Sequence, residues 1–67
     1  MEETKVSRLR LERLSRGWSL KDVAETVGVT PAAVKAWEME KSKPAVDSAI
    51  KLSQLYKVDI TELFNTH

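Results

Sequence analysis

The sequence predicts an all-α protein, and three observations lead to this prediction. Apolar residues recur at intervals of three and four along the chain, which is the spacing of one face of an α-helix. No segment alternates apolar and polar residues over the length of a β-strand. The two glycines and two prolines stand between the periodic segments, where they begin or end helices. We therefore expect five helices in a single domain covering residues 1–67.

Composition sets limits on the kind of protein this is. The chain has 67 residues, enough for one small domain, and its 11 basic and 10 acidic residues leave a net charge of +1. This balance gives no overall electrostatic attraction to nucleic acid. Cysteine is absent, which excludes disulfides and thiolate metal sites and fits a cytoplasmic location. Neither a membrane-spanning run nor a signal peptide is recognisable.

Catalytic chemistry has little support in the sequence. The only histidine is His67, the last residue, and chain ends are usually loose. We find no pairing of a nucleophile with a base, no glycine-rich phosphate loop and no cluster of carboxylates in a plausible cleft. The protein is therefore expected not to be an enzyme and to bind neither a cofactor nor a metal ion.

The first helix is expected from about Thr4 to Arg16, with Gly17 ending it. Its apolar residues are Val6, Leu9, Leu11 and Leu14. Arg10 and Arg13 fall within the same apolar arc, where an unpaired charge would be costly. Each arginine must therefore extend its guanidinium into solvent or find a carboxylate partner.

The second and third helices have clear N-terminal signals. Ser19 is the expected N-cap of helix 2, with a carboxylate three residues later to complete a capping box, and Gly28 ends the helix. Thr30 followed by Pro31 is the expected start of helix 3, which extends to about Met39. Two short helices joined by a tight turn containing glycine are typical of a helix-turn-helix unit.

The remaining helices complete the expected core. Helix 3 directs Val34 and Trp37 inward. Helix 4 runs from about residue 46 to Lys57, and its buried side consists of Val46, Ala49, Ile50, Ser53 and Tyr56, with Leu52 and Leu55 beside them. A short fifth helix begins after Asp59, and its apolar residues are Ile60, Leu63 and Phe64.

Basic residues form two clusters. Residues 5–16 hold five lysines and arginines against Glu12 alone, and Lys41 and Lys43 follow helix 3. Such clusters suit contact with phosphates, but solvated helix faces carry the same pattern. Charge alone favours the solvated face.

A set of motifs runs through nearly the whole chain. They are Arg13, Gly17-Trp18-Ser19, Val23-Ala24, Gly28-Val29-Thr30, Val34, Trp37-Glu38, Pro44, Val58-Asp59-Ile60 and Glu62-Leu63-Phe64. With these residues the chain resembles the lambda-repressor-like, Cro/C1-type (Xre-type) helix-turn-helix family. The resemblance implies a compact five-helix fold whose helices 2 and 3 form the helix-turn-helix.

The resemblance also implies a structural ion pair between Arg13 and Glu38. Family members often carry an arginine and a glutamate at these two places. The alternative is two independent surface charges, which would add little stability. Because Arg13 lies within the apolar arc of helix 1, we expect the pair.

The resemblance further implies a sequence-specific transcriptional regulator that places helix 3, about residues 31–39, in the major groove of DNA. Carried over by position, the groove-facing residues are Thr30, Pro31, Ala32, Lys35 and Ala36. The phosphate-facing residues are Ser19, Leu20, Lys21, Met39, Lys41 and Lys43. The expected form is a repressor of phage or mobile-element type that binds a palindromic operator as a homodimer, because one small module gives little affinity. The family's usual dimer interfaces are residues 60–67 and the junction of helices 4 and 5.

Several groove-facing positions depart from the family's usual polar residues. Pro31, Ala32 and Ala36 offer only apolar contact, for instance to thymine methyl groups, and Lys35 is the one strong donor. An alternative function is therefore a protein–protein interaction module, such as an anti-repressor or accessory subunit, that uses the apolar Pro31/Ala32/Ala36 face and binds little DNA. DNA binding is the expected function because the basic loop after helix 3 is retained.

A second apolar set consists of Leu11, Leu14 and Trp18. The family usually has polar residues at the first two of these positions. The set is either extra core or dimer contact, which we expect, or another surface for a protein partner.

Overall fold

The computed structural model describes residues 7–64 of the chain. Five helices lie in this part: α1 (Arg8–Ser15), α2 (Leu20–Val27), α3 (Pro31–Glu38), α4 (Val46–Tyr56) and α5 (Ile60–Leu63). Residues 7–64 contain no β-strand, and none of their helices is long and apolar enough to cross a membrane. The prediction of an all-α, five-helix fold is confirmed.

Helix α1 is bounded by two local hydrogen-bonding motifs. Ser7 is its N-cap, and the Ser7 hydroxyl accepts a hydrogen bond from the Arg10 N–H at 3.2 Å. At the other end Gly17 takes a left-handed conformation with φ 72°, as predicted for a residue that ends a helix. The Trp18 N–H then donates to the Arg13 carbonyl at 3.2 Å. The helix begins at Arg8, later than the predicted start near Thr4, because Ser7 is extended and acts as its N-cap. Thr4 and Val6 themselves lie outside the described residues.

The turn between α2 and α3 follows from its capping residues. The Ser19 hydroxyl accepts from the Asp22 N–H at 3.0 Å while the Asp22 carboxylate accepts from the Ser19 N–H at 2.9 Å, so the predicted capping box is present. Gly28 ends α2 with φ 90°, a conformation that costs glycine little. The Thr30 hydroxyl accepts from the Ala33 N–H at 3.2 Å and caps α3. Three residues, 28–30, therefore suffice to connect the two helices.

All five helices contribute to one core. Its buried hydrophobic residues are Leu9, Val23, Ala24, Val27, Val34, Trp37, Leu52, Tyr56 and Leu63. Val34 and Trp37 face inward as predicted. Fully burying a large apolar side chain contributes about 1.5–3 kcal/mol, so these few residues supply most of the stabilisation that a chain of this size can obtain.

The buried side of α4 differs from the prediction. Val46 and Ile50 were expected to be buried, but they are 72 % and 45 % exposed. Ala49 and Tyr56 are buried as predicted, and Leu52, which was placed beside them, is fully buried. Both sets have helical spacing, and the observed set buries Leu52 in place of Val46 and Ile50. The result is an apolar surface on the outer side of α4.

The buried side of α1 also differs from the prediction. Of the residues placed in its apolar arc, only Leu9 and Arg13 are buried among the described residues. Arg10 is exposed, and Leu11 and Leu14 are 51 % and 49 % exposed, so neither leucine is extra core. The helix turns its Leu9–Arg13 side inward because Arg13 finds a buried carboxylate there, whereas Arg10 extends into solvent.

Arg16 joins the C-terminal ends of α1 and α4, a role that the sequence did not predict. Its guanidinium donates to the Tyr56 carbonyl at 2.8 Å and to the Glu12 carboxylate at 2.6 Å. The same group lies 5.2 Å from the ring centroid of Tyr56 and 5.8 Å from that of Trp18. The two rings are stacked at 5.9 Å. This cluster therefore covers one end of the core with charge-assisted and aromatic contacts.

Candidate nucleic-acid interface

Helix α3 presents one side to solvent while its other side is held in the core. Val34 and Trp37 are buried, and Ala33 packs against the core beside them. The opposite side consists of Ala32, Lys35, Ala36 and Met39, at positions i, i+3, i+4 and i+7. Ala32, Lys35 and Met39 are exposed and Ala36 is half-buried. We call these four residues the outer face of α3.

The Arg13–Glu38 pair fixes α3 against α1. The Arg13 guanidinium donates from Nε to Glu38 Oε2 at 2.7 Å and from Nη2 to Oε1 at 3.1 Å, a bidentate pairing. Its Nη1 donates to the Trp18 carbonyl at 2.9 Å. The side chains are 11 % and 5 % exposed, and the hydrogen bonds to Glu38 raise the pKa of Arg13. The last turn of α3 is thereby held in one position relative to the rest of the fold.

The N-terminus of α2 offers donors to an anion. Lys21 is exposed, and the first N–H groups of any α-helix have no acceptor within the helix. Such groups, together with the helix dipole, favour binding of a phosphate. The Ser19 hydroxyl oxygen is already used as the cap of α2, and the hydrogen bond from the Ser19 N–H keeps the pKa of Asp22 below its ordinary value.

The connection between α3 and α4 carries the second basic group. Lys41 and Lys43 are both exposed. The Lys41 N–H donates to the Ala36 carbonyl at 2.9 Å, and Glu40 N–H donates to the Trp37 carbonyl at 3.1 Å. This motif ends the helix and requires a left-handed residue, which here is Glu40 with φ 61°. A non-glycine residue in this conformation costs about 1–2 kcal/mol, so Lys41 is held directly after α3 at some expense of stability.

The predicted contact residues come from three consecutive segments: the start of α2, the turn with α3, and the loop after α3. Of these residues the structure leaves exposed Ser19, Lys21, Thr30, Pro31, Ala32, Lys35, Met39, Lys41 and Lys43, and leaves Leu20 and Ala36 half-buried. Leu20 packs against the core, and the exposed residues are accessible to a partner.

Sequence reasoning missed one feature near this surface. The left-handed Glu40 occupies a place where glycine would be the ordinary signal, and no such signal is present. Of the two arginines in the apolar arc of α1, Arg10 is exposed, which is one of the two outcomes expected for it. Spacing could not separate them, because Leu14 stands four residues from Arg10 just as Leu9 stands four residues from Arg13.

The geometry of α2 and α3 is that of a helix-turn-helix protein: two short helices, a three-residue turn containing glycine, and a second helix with one exposed side. A family model described as helix-turn-helix matches residues 9–63. The chain therefore belongs to the Cro/C1-type helix-turn-helix family, which is the lambda-repressor-like Xre family, and the resemblance inferred from its sequence is confirmed. A search of curated proteins found no significant match. Membership makes the protein a DNA-binding helix-turn-helix regulator.

Proposed function

We propose that the protein is a sequence-specific transcriptional repressor that binds operator DNA with α3 in the major groove. The observation that supports this proposal is the exposed outer face of α3. A buried ion pair holds α3 in position, and exposed lysines precede and follow the helix in the chain. In this arrangement α3 meets base edges while the start of α2 and the loop after α3 meet the two flanking stretches of phosphates.

Most of the affinity would come from lysines. Lys21, Lys41 and Lys43 are exposed at the proposed phosphate positions, and Lys35 lies on the outer face of α3. Each phosphate that a cation neutralises releases counterions, so the logarithm of the binding constant falls linearly with the logarithm of salt concentration. With a net charge of +1 the rest of the molecule adds little to this attraction.

The first prediction separates reading of bases from contact with phosphates. Lys35→Ala should relax preference at the base pair that Lys35 contacts, with a loss of about 1–3 kcal/mol of discrimination. Lys41→Ala should weaken binding to all sequences alike and reduce the salt slope by about 1. The measurement is a salt series of binding to random duplexes and to a duplex selected from a random pool. Lys57→Gly is the matched control, because it removes one charge at the left-handed C-cap of α4, where glycine is tolerated.

The specific form that we propose is a cytoplasmic, phage- or mobile-element-type repressor that binds a palindromic operator as a homodimer. Two copies related by a two-fold axis would contact half-sites about one helical turn apart. The support for a second copy is an apolar groove between α4 and α5. Its apolar lining residues are Pro44, Val46, Ala49, Ile60 and Phe64, and its polar lining residues are Lys43 and Thr61. Residues 65–67, which the sequence also suggested for this interface, lie outside the described residues.

The second prediction tests the groove. Val46→Glu should lower the number of protein chains per palindromic duplex from two to one at moderate concentration, because it places a charge where two apolar surfaces would meet. The 72 % exposure of Val46 and its position at the start of α4 make the substitution compatible with folding. Sedimentation with and without the duplex provides the measurement. Leu11→Glu, at the similarly exposed leucine of α1, is the control, and loss of pairing in that variant instead would place the interface on α1.

A protein-interaction module is the second candidate function. The observation in its favour is that Pro31, Ala32 and Ala36 present an apolar surface with few polar groups for reading bases. Absence of binding to any duplex at low salt, or a salt slope near zero, would favour this function over the DNA-binding one.

A further inference from the structure

Glu40 opposes both the stability of the fold and the proposed binding of DNA. Its left-handed conformation, with φ 61°, is one that glycine adopts at little cost and other residues do not. Its carboxylate lies in the same loop as Lys41 and Lys43, where a negative charge repels phosphates. Glycine at this position would remove both disadvantages. A strained residue that works against the proposed function points to a second role for this loop.

Glu40 lines a pocket where the start of α1, the loop after α3 and α5 meet. The apolar lining residues are Leu9, Trp37, Leu63 and Phe64, and the first three belong to the buried core. The volume of the pocket is about 230 Å³, whereas pockets for drug-sized ligands usually have about 300–1,000 Å³. This pocket therefore suits a smaller molecule, of about the size of a single amino acid.

Four charged side chains, two of each sign, line the same pocket: Arg8, Glu40, Lys43 and Glu62. Arg8 Nη1 and Glu62 Oε1 lie 3.7 Å apart, so these two side chains partly neutralise each other. Among the ion pairs that the described residues form, none involves Glu40 or Lys43, and both of these residues are exposed. One carboxylate and one ammonium group at the pocket are therefore available to a ligand.

We propose that this pocket binds a free amino acid with an apolar side chain. The side chain of the ligand packs against Trp37 and Phe64, its carboxylate pairs with Lys43 and its ammonium group pairs with Glu40. Hydrogen bonds between charged groups are stronger than those between neutral ones, so each pairing contributes to affinity. A ligand with a single charge engages only one of the two protein groups, and a zwitterion engages both.

The amino acid and DNA compete for Lys43, which is one of the proposed phosphate contacts. This part of the inference rests on the proposed DNA-binding function. An ammonium group that is paired with a ligand carboxylate no longer neutralises a phosphate, so the amino acid weakens DNA binding. By thermodynamic linkage, DNA weakens amino-acid binding by the same factor. The amino acid therefore releases the protein from DNA.

Titration of the full chain with L-phenylalanine or L-leucine, without DNA, tests the pocket directly. We expect a Kd of about 1 mM or below for at least one of them. Amide chemical shifts in NMR spectra should change at residues 40–43 and 63–64 and stay constant in α2. Absence of these changes for both amino acids at about ten times that concentration overturns the inference.

Three further probes separate the parts of the ligand. Hydrocinnamate lacks the ammonium group of phenylalanine and phenethylamine lacks the carboxylate, so each should bind about tenfold more weakly, the value of one charge-assisted hydrogen bond. L-alanine lacks the large apolar group and should lose at least as much. Equal Kd values for L-phenylalanine and either singly charged probe overturn recognition of a zwitterion.

Two substitutions of Glu40 separate loss of the ligand from loss of the fold. Glu40→Gly should raise the midpoint of urea denaturation, because glycine readily adopts this conformation, and yet weaken amino-acid binding about tenfold. Glu40→Gln keeps the size of the side chain, removes its charge and should weaken binding as much. Glu25→Gln is the matched control, since Glu25 is an exposed carboxylate of α2 outside the pocket. Unchanged binding in both Glu40 variants overturns the assigned pairing.

DNA titrations with and without saturating amino acid complete the test. The amino acid should raise the Kd for duplex DNA and lower the salt slope by about 1. Amino-acid binding with an unchanged Kd for DNA overturns the competition for Lys43. Absence of amino-acid binding in a chain that binds DNA overturns the pocket and leaves the proposed function intact. Absence of DNA binding at low salt overturns the proposed function, and the titrations without DNA then decide the pocket alone.

Discussion

Replacing Glu38 by leucine is expected to lower the free energy of unfolding by about 3–5 kcal/mol, the usual cost of leaving one member of a buried ion pair without its partner. The variant would leave the Arg13 guanidinium beside an apolar side chain, with both hydrogen bonds to the carboxylate lost. A domain of this length has a total stability of roughly 3–10 kcal/mol, so this loss is a large fraction of the total. Urea denaturation followed by circular dichroism provides the measurement.

The double variant Arg13→Met, Glu38→Leu is the decisive control. It removes both charges, so most of the lost stability should return, and the coupling energy between the two sites should be large. Recovery will be incomplete because the Trp18 carbonyl loses its bond from Arg13 Nη1. A coupling energy of zero would mean that the two charges act independently. Glu62→Leu, which removes an exposed contact to Arg8 at 3.7 Å, should have a far smaller effect.

Leu52→Ala is expected to have the second largest effect, a loss of about 2–5 kcal/mol, because Leu52 is fully buried and the truncation leaves a cavity. Ile50→Ala is the matched control on the same helix. Ile50 is 45 % exposed, so its truncation removes fewer contacts and should cost about 1 kcal/mol or less. Thermal and urea denaturation of both variants provide the measurement. Equal losses would contradict the buried stripe of Ala49, Leu52 and Tyr56.

The helix boundaries could be predicted because their signals are local. A serine or threonine that caps a helix, a proline at its first position and a glycine after its last one act over three or four residues. Ser19, Gly28, Thr30 and Pro31 all take the conformations that these rules require. The ends of α2 and the start of α3 therefore follow from residues that stand next to each other in the chain.

The choice of buried side depends on contacts that are distant in sequence. On α4 the spacing allows two stripes that share Ala49 and Tyr56, and only the size and fit of neighbouring helices select Leu52 over Val46 and Ile50. On α1 the same ambiguity affected Arg10 and Arg13, and a glutamate 25 residues away resolves it. The spacing of apolar residues describes one helix by itself, and it does not show which side of that helix a neighbouring helix will cover.

For the candidate interface, residue identities could be carried over by position, and their exposure then followed from the fold. The left-handed Glu40 could not be predicted, because nothing in its side chain favours that conformation and the surrounding helix end imposes it. The base pairs that these residues contact could not be predicted from the chain, because they depend on the DNA sequence that a binding experiment selects.

The hydrogen bond from Arg16 to the Tyr56 carbonyl has a consequence for folding kinetics. It joins residues 40 positions apart, whereas the caps and turns of the described helices join residues three to five apart. Because the entropy of loop closure grows with the length of chain enclosed, we expect this bond to form late, after the helix-turn-helix has assembled. Interactions absent from the folding transition state act mainly on the unfolding rate. Loss of the Arg16 bond is therefore expected to raise the unfolding rate more than it lowers the folding rate.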